Sequence, residues 1–147
     1  MGAADRSRRA SGVLYVDTSA LVKLLIRELE SAAIEGELLL WANLATSAVT
    51  EVELPRAVAR AREERGTSIV DGSLVLLGIL ESAAIVPLDE DVSSAAREVQ
   101  PVDVGALDAI HIASAMSFGD RLAGVATYDK RMQHSLELLG VPVLAPS

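Results

Sequence analysis

Five short apolar runs, each separated from the next by a stretch of helical periodicity, constrain this chain more than any other feature. They fall at residues 13–16, 44–46, 84–87, 125–127 and 141–144. Short runs of Val, Ile and Leu bounded by polar or turn residues read as buried strands. The stretches between them, with apolar residues three and four apart, read as helices. Strands that alternate with helices form a parallel sheet with helices on both faces. The expected fold class is therefore α/β, with about five mostly parallel strands.

Helices are expected over about 19–29 and 31–40, and from the second strand to about Glu64, where Gly66 supplies a stop. Another, capped by Thr67 or Ser68, should run through Val70, Leu74, Leu77 and Leu80. Three more follow at about 92–99, 106–116 and 130–139. Pro55 falls inside the third of these patterns. Its missing amide hydrogen and its clash with the carbonyl four residues back predict a kink near residues 51–55, or a helix that starts later.

Aromatic residues make up 3% of the chain, so the core must be built from Leu, Val, Ile and Ala. There is no cysteine, which excludes disulfides and thiolate metal sites and fits a reducing, cytoplasmic setting. The most apolar stretch, residues 69–79, is too short to span a membrane and contains Asp71. Residues 1–12, with Arg6, Arg8 and Arg9 among Ser, Ala and Gly, read as a flexible basic tail. The net charge of −8 argues against nonspecific nucleic-acid binding by a basic face. An acid excess of this kind either serves solubility or gathers some carboxylates around a hard cation.

Several acids stand where a solvated acid would not. Asp17 closes the first strand, and ligands of open α/β sheets sit at such carboxyl ends. The alternative is that it caps the following helix. Asp108 lies in a helix that is apolar nearly all round and hence buried. An ionised carboxylate there costs at least several kcal/mol unless a partner, a helix terminus or a metal compensates. His111, one turn further on, reads as a packed, hydrogen-bonded residue more readily than as a ligand. Asp129 ends the fourth strand and again has capping as its alternative. Thr127 either bonds a nearby carboxylate or finishes the strand. Glu51 and Glu53 both open the long helix, two residues apart and so on nearly opposite sides, and the pattern of Leu54, Ala57, Val58 and Ala61 favours neither. Carboxylates that each follow a separate parallel strand converge on one rim, a natural site for Mg²⁺ or Mn²⁺.

With these residues in view the chain resembles the PIN-domain nucleases, and among them the VapC-type toxins of type II toxin–antitoxin pairs. The likeness runs from about Val13 to Leu144. Val16-Asp17-Thr18-Ser19-Ala20-Leu21 is similar to the first acidic motif of that family. Ser47 with Glu53-Leu54 and Arg56 is similar to the second, a spacing that selects Glu53 over Glu51. Leu107-Asp108-Ala109-Ile110-His111 resembles the third and Thr127-Tyr128-Asp129 the fourth. Pro55 interrupts the second motif, and Gly105 stands where many relatives carry an arginine.

The resemblance implies an α/β/α sandwich in one PIN-like domain, residues 13–147, behind the basic tail. It implies a ribonuclease in which Asp17, Glu53, Asp108 and Asp129 surround one or two divalent ions, Mg²⁺ or Mn²⁺, supported by the hydroxyls of Ser19 and Thr127. Asp17 and Asp108 would be direct ligands. Arg56, Arg60, Lys23, Arg27 and Lys130 would meet the RNA phosphates, or else form a solvated helix face. Products with 3′-hydroxyl and 5′-phosphate ends, a cognate VapB-type antitoxin that blocks the acidic pocket, and a homodimer are further implications. Two other readings exist. A PIN fold kept only as a binding module would dock a partner on the same charges. A phosphoacceptor receiver domain shares the α/β plan but expects adjacent acids after the first strand, where Tyr15-Val16-Asp17 offers one.

Overall fold

The computed structural model describes residues 2–66 and 73–147. Its centre is strand β1 (Val13–Val16), in which all four residues are buried. A strand covered on both faces needs no polar alternation, which is why this run reads as unbroken apolar sequence. It pairs in parallel with β2 (Asn43–Ser47) on one side and β4 (Leu122–Ala126) on the other. Two edge strands, β3 (Ala84–Val86) beside β2 and β5 (Val143–Leu144) beside β4, complete the parallel order β3-β2-β1-β4-β5. The expected α/β class holds, and the order differs from the 2-1-3-4-5 arrangement of receiver-like folds.

Alternation along β1 divides the core. Leu14 and Val16 face a layer made by α2 (Thr18–Leu25), α3 (Ser31–Leu38), α4 (Thr50–Arg65) and α5 (Ser73–Ser82), filled by Leu21, Ile34, Leu38, Leu54 and Ile79. Val13 and Tyr15 face α6 (Glu90–Arg97), α7 (Ala106–Met116) and α8 (Lys130–Leu138), packed through Val92, Ile112, Met132 and Leu136. The chain builds outward from β1 through β2 to β3, then crosses back to β4 on the other flank. The strand order therefore switches direction between β1 and β4, and the crevice at their carboxyl ends is where such sheets bind ligands. Among the described residues, no helix is long and apolar enough to cross a membrane.

Three expectations need correction. The segment read as a flexible tail contains a helix, α1 (Ala3–Ser11). Its last turn carries Arg8 and Arg9, favourable at a helix C-terminus, and both reach the body of the protein. Arg9 pairs with Glu37 of α3 at 3.0 Å, and the Arg8 guanidinium donates to the Ala123 carbonyl of β4. The positive charge that suggested a loose tail is what fastens it.

Pro55 does not delay α4, which runs from Thr50 to Arg65 with the proline inside it. The helix opens in a tight turn, with the Glu51 and Val52 amides bonding carbonyls three residues back, Ala48 at 3.2 Å and Val49 at 3.0 Å. Pro55 and Glu51 both lie on the exposed side, where water can serve the carbonyl the proline leaves unbonded. Gly66 ends the helix at φ 60°, the left-handed conformation that only glycine adopts without cost. The third correction concerns the fourth strand, which starts three residues earlier than expected, at Leu122, and ends at Ala126. The expected Thr67 or Ser68 cap lies outside the described residues.

Candidate active site

The four acids come from four elements and meet in one cleft of about 570 Å³ at the carboxyl ends of β1 and β4. Each stands at the start of a helix. Asp17 is the N-cap of α2 and Asp129 the N-cap of α8, while Glu53 and Asp108 lie in the first turns of α4 and α7. Helix N-termini present unpaired amides and a partial positive charge, so their convergence makes a cluster of carboxylates tolerable. Capping and site-building, read from the sequence as alternatives, are here the same arrangement.

Asp17 is 2% exposed, with one hydrogen bond to each carboxylate oxygen. Its Oδ1 accepts the Ser19 amide and its Oδ2 accepts the Thr127 hydroxyl. Burial pushes its pKa up, while Thr127, the nearby His111 and Ser19 oppose that shift. Thr127 also accepts the Asp129 amide at 3.1 Å, so one hydroxyl links two of the four acids. Asp129 caps α8 through Oδ1 alone, which accepts the Arg131 and Met132 amides at 2.9 and 3.0 Å. Ser19 holds the loop between them, its hydroxyl accepting the Tyr128 amide at 2.9 Å. Both expected supporting hydroxyls thus touch the site.

Asp108 is where the charges collect. Burial, then the negative charges of Asp129, Asp17 and Glu53, push its pKa up to about 6, with His111 opposing. Glu53 behaves differently. Burial raises its pKa, but His111, Thr18 and Arg60 together outweigh burial and hold it below the ordinary value. Its Oε1 accepts the Thr18 hydroxyl at 2.9 Å and lies 2.6 Å from His111 Nε2. A run of buried threonines seats α4 beneath it. Thr46 donates to the Val16 carbonyl at 2.7 Å and lies 2.9 Å from Thr50.

Glu51, by contrast, is exposed and borders a separate apolar hollow with Leu54, Pro55 and Ile85. Arg56 and Arg60 do line the cleft. Lys23 does not, which corrects its expected place among the substrate-facing cations. Its ammonium is bound by Glu28 and by Glu30 at 3.1 Å, and sits 4.5 Å over the Tyr128 ring. Arg27 is exposed, and Lys130 borders a neighbouring hollow with Arg131 and His134.

The sequence reading missed Tyr15 and Thr18. A tyrosine inside a fully buried strand must find a partner for its hydroxyl, and that rule was the available signal. Its oxygen lies 2.7 Å from His111 Nδ1. Thr18 was obscured by its place in an ordinary capping sequence.

The donor set consists of carboxylate oxygens, the chemistry of a hard cation and not of zinc. Among the described residues no three side chains of the His, Cys, Asp or Glu type stand close enough to hold a metal ion unaided.

A sequence profile of the PIN domain matches residues 14–135. The chain is 39% identical to Ribonuclease VapC35 of Mycobacterium tuberculosis over 141 aligned residues, covering 91% of this chain and 97% of that protein. It is 34% identical to Ribonuclease VapC46 of the same organism, over 91% of this chain and 98% of that one. To Ribonuclease VapC47, also of M. tuberculosis, it is 34% identical, over 91% and 97% respectively.

Proposed function

This chain belongs to the PIN-domain family, among its VapC-type members, and from that premise we propose that it is a divalent-metal-dependent endoribonuclease, the toxin of a VapBC-type toxin–antitoxin pair. The observation that carries the reading is the meeting of Asp17, Glu53, Asp108 and Asp129 in a single cleft. Four carboxylates gathered at four helix N-termini, one of them pushed up to about 6, form a field that a hard dication relieves.

Asp17 and Asp108 would hold Mg²⁺ or Mn²⁺ directly, with Asp129 and Glu53 binding directly or through water. When bound, the cation makes a water acidic enough to attack phosphorus and offsets the charge that builds on the leaving oxygen. Asp17 is fixed for this role by Thr127 and Ser19, which spend one lone pair on each carboxylate oxygen and leave the others for coordination. Arg56 and Arg60 flank the cleft and would bind the phosphates on either side of the scissile bond. The overall charge of −8 does not oppose an RNA substrate, because a cation held by these acids would reverse the local sign.

The partners that follow are a cognate antitoxin seated over the acidic cleft and a second copy of this chain, in a cytoplasmic setting. Purified protein with a mixture of structured and single-stranded RNAs tests the activity. Cleavage should require Mg²⁺ or Mn²⁺, leave 5′-phosphate ends, and vanish in Asp17→Asn and Asp108→Asn variants whose circular dichroism is unchanged. Cleavage that persists in EDTA, or in either variant, would sink the proposal.

A further inference from the structure

Behind Glu53 lies a second polar system, built from side chains that are not themselves among the four acids. His111 lies on α7 one turn beyond Asp108, is 2% exposed, and joins elements from both sides of the sheet. Nδ1 is 2.7 Å from the hydroxyl of Tyr15 in the central strand, the two rings meeting edge-on with centroids 5.9 Å apart. Nε2 is 2.6 Å from Glu53 Oε1 on α4.

The roles along this chain follow from what each group can do. An ionised carboxylate only accepts, so Nε2 must carry the hydrogen. In a neutral ring Nδ1 then accepts, and the Tyr15 hydroxyl supplies the proton. Burial keeps that phenol in its protonated form. His111 thus donates to Glu53 through Nε2 whichever charge the ring carries, and in the neutral ring Tyr15 donates to Nδ1.

Glu53 needs such a hold more than the other acids. Asp17 and Asp129 are pinned by amides of their own helices. Glu53 has a longer side chain, caps nothing, and receives its hydrogen bonds from α2 and α7 instead. Both bonds fall on Oε1, so neither occupies Oε2.

We propose that Tyr15 and His111 are positioning residues, a buried clamp that fixes Glu53 through Oε1 and turns Oε2 toward the cation site. The proposal rests on the ribonuclease reading only for its effect on turnover; the clamp itself is testable in metal-free protein.

Two measurements test it. In ¹⁵N-labelled, metal-free protein at pH 8, ring correlations of His111, separated from His134 by a His134 variant, should show a proton on Nε2. A ring protonated only on Nδ1 would overturn the clamp. The second measurement is Mn²⁺ binding by electron paramagnetic resonance in wild type, Tyr15→Phe, Glu53→Gln and the double variant. Tyr15→Phe should weaken Mn²⁺ binding about 3- to 10-fold in the wild-type background and not at all in the Glu53→Gln background, since positions coupled through one group are not additive. In RNA cleavage the same substitution should lower kcat and leave KM for RNA in place. A Tyr15→Phe effect of equal size in both backgrounds, or none in either, would refute the proposal. If the wild type binds Mn²⁺ with this pattern but cleaves no RNA, the clamp stands and the ribonuclease reading fails.

Discussion

Thr127 gives its hydroxyl proton to Asp17 Oδ2 from the end of the neighbouring strand, 110 residues further along the chain. Both side chains are buried, and Asp17 already sits above its ordinary pKa because of that burial. The bond therefore favours the charged form of a desolvated carboxylate. Thr127→Val keeps the shape and removes the donor, so it should cost about 2 kcal/mol in urea unfolding at neutral pH. Thr127→Ser should retain most of that stability. The penalty should shrink at low pH, as Asp17 takes up a proton and no longer needs the bond.

Burial raises the pKa of Asp108 as well, but there the neighbouring carboxylates add to the shift and make its charge unwelcome. With its pKa raised from 3.8 to about 6, the folded chain holds a proton through the interval between these values while the unfolded chain has lost it. Stability from this group is thus present below about pH 4 and declines as pH rises through about 6. Asp108 is partly exposed, so after solvent screening the effect is on the order of 1 kcal/mol. Asp108→Asn should raise the Tm of metal-free protein at pH 7.5 and leave it little changed at pH 4. Added Mg²⁺ should reverse the order, stabilising the wild type and not the variant.

Glu51 and Glu53 show where two positions along one helix decide function. Glu53→Gln should lower the rate by at least ~10²-fold, the usual scale for losing a group that acts at the reacting centre. Its stability should change by only about 1 kcal/mol, since the amide can still bond Thr18. Glu51→Gln should leave both rate and Tm in place, because that side chain is exposed outside the cleft. Single-turnover cleavage beside thermal melts separates the two outcomes.

Much of this was legible in the sequence because it is local. The β1 run is apolar throughout because both faces are covered, and α7 (Ala106–Met116) matches its expected bounds because its burial leaves little room for polar residues. Asp108 was conspicuous for the same reason. What escaped was tertiary. Nothing near Lys23 in sequence announces that it is stacked on Tyr128, and a basic N-terminal segment reads as solvated until Glu37 and the Ala123 carbonyl are placed beside it. Glu51 and Glu53 are indistinguishable by periodicity, and it is His111 and Thr18, brought in by other helices, that mark Glu53. The link from Tyr15 to His111 spans 96 residues and leaves no pattern in either segment.

Gly105 offers a test of how that acidic field is balanced. It caps α7 at φ −63°, a conformation open to any residue, and an added Cβ would lie 3.9 Å from Asp108 Oδ2 with no closer contact. The position therefore accepts a Cβ without strain, and an arginine there would start beside the Asp108 carboxylate. A cation beside Asp108 favours its charged form. Gly105→Arg should lower the Asp108 pKa by about 1 unit, readable in carboxyl ¹³C titration. The pH-dependent Tm difference between the parent chain and its Asp108→Asn variant should narrow accordingly. Because the added charge competes with a bound dication while attracting phosphate, Mn²⁺ affinity should fall as KM for RNA improves. A variant whose Asp108 still titrates near 6 would mean that the arginine turns away from the cleft.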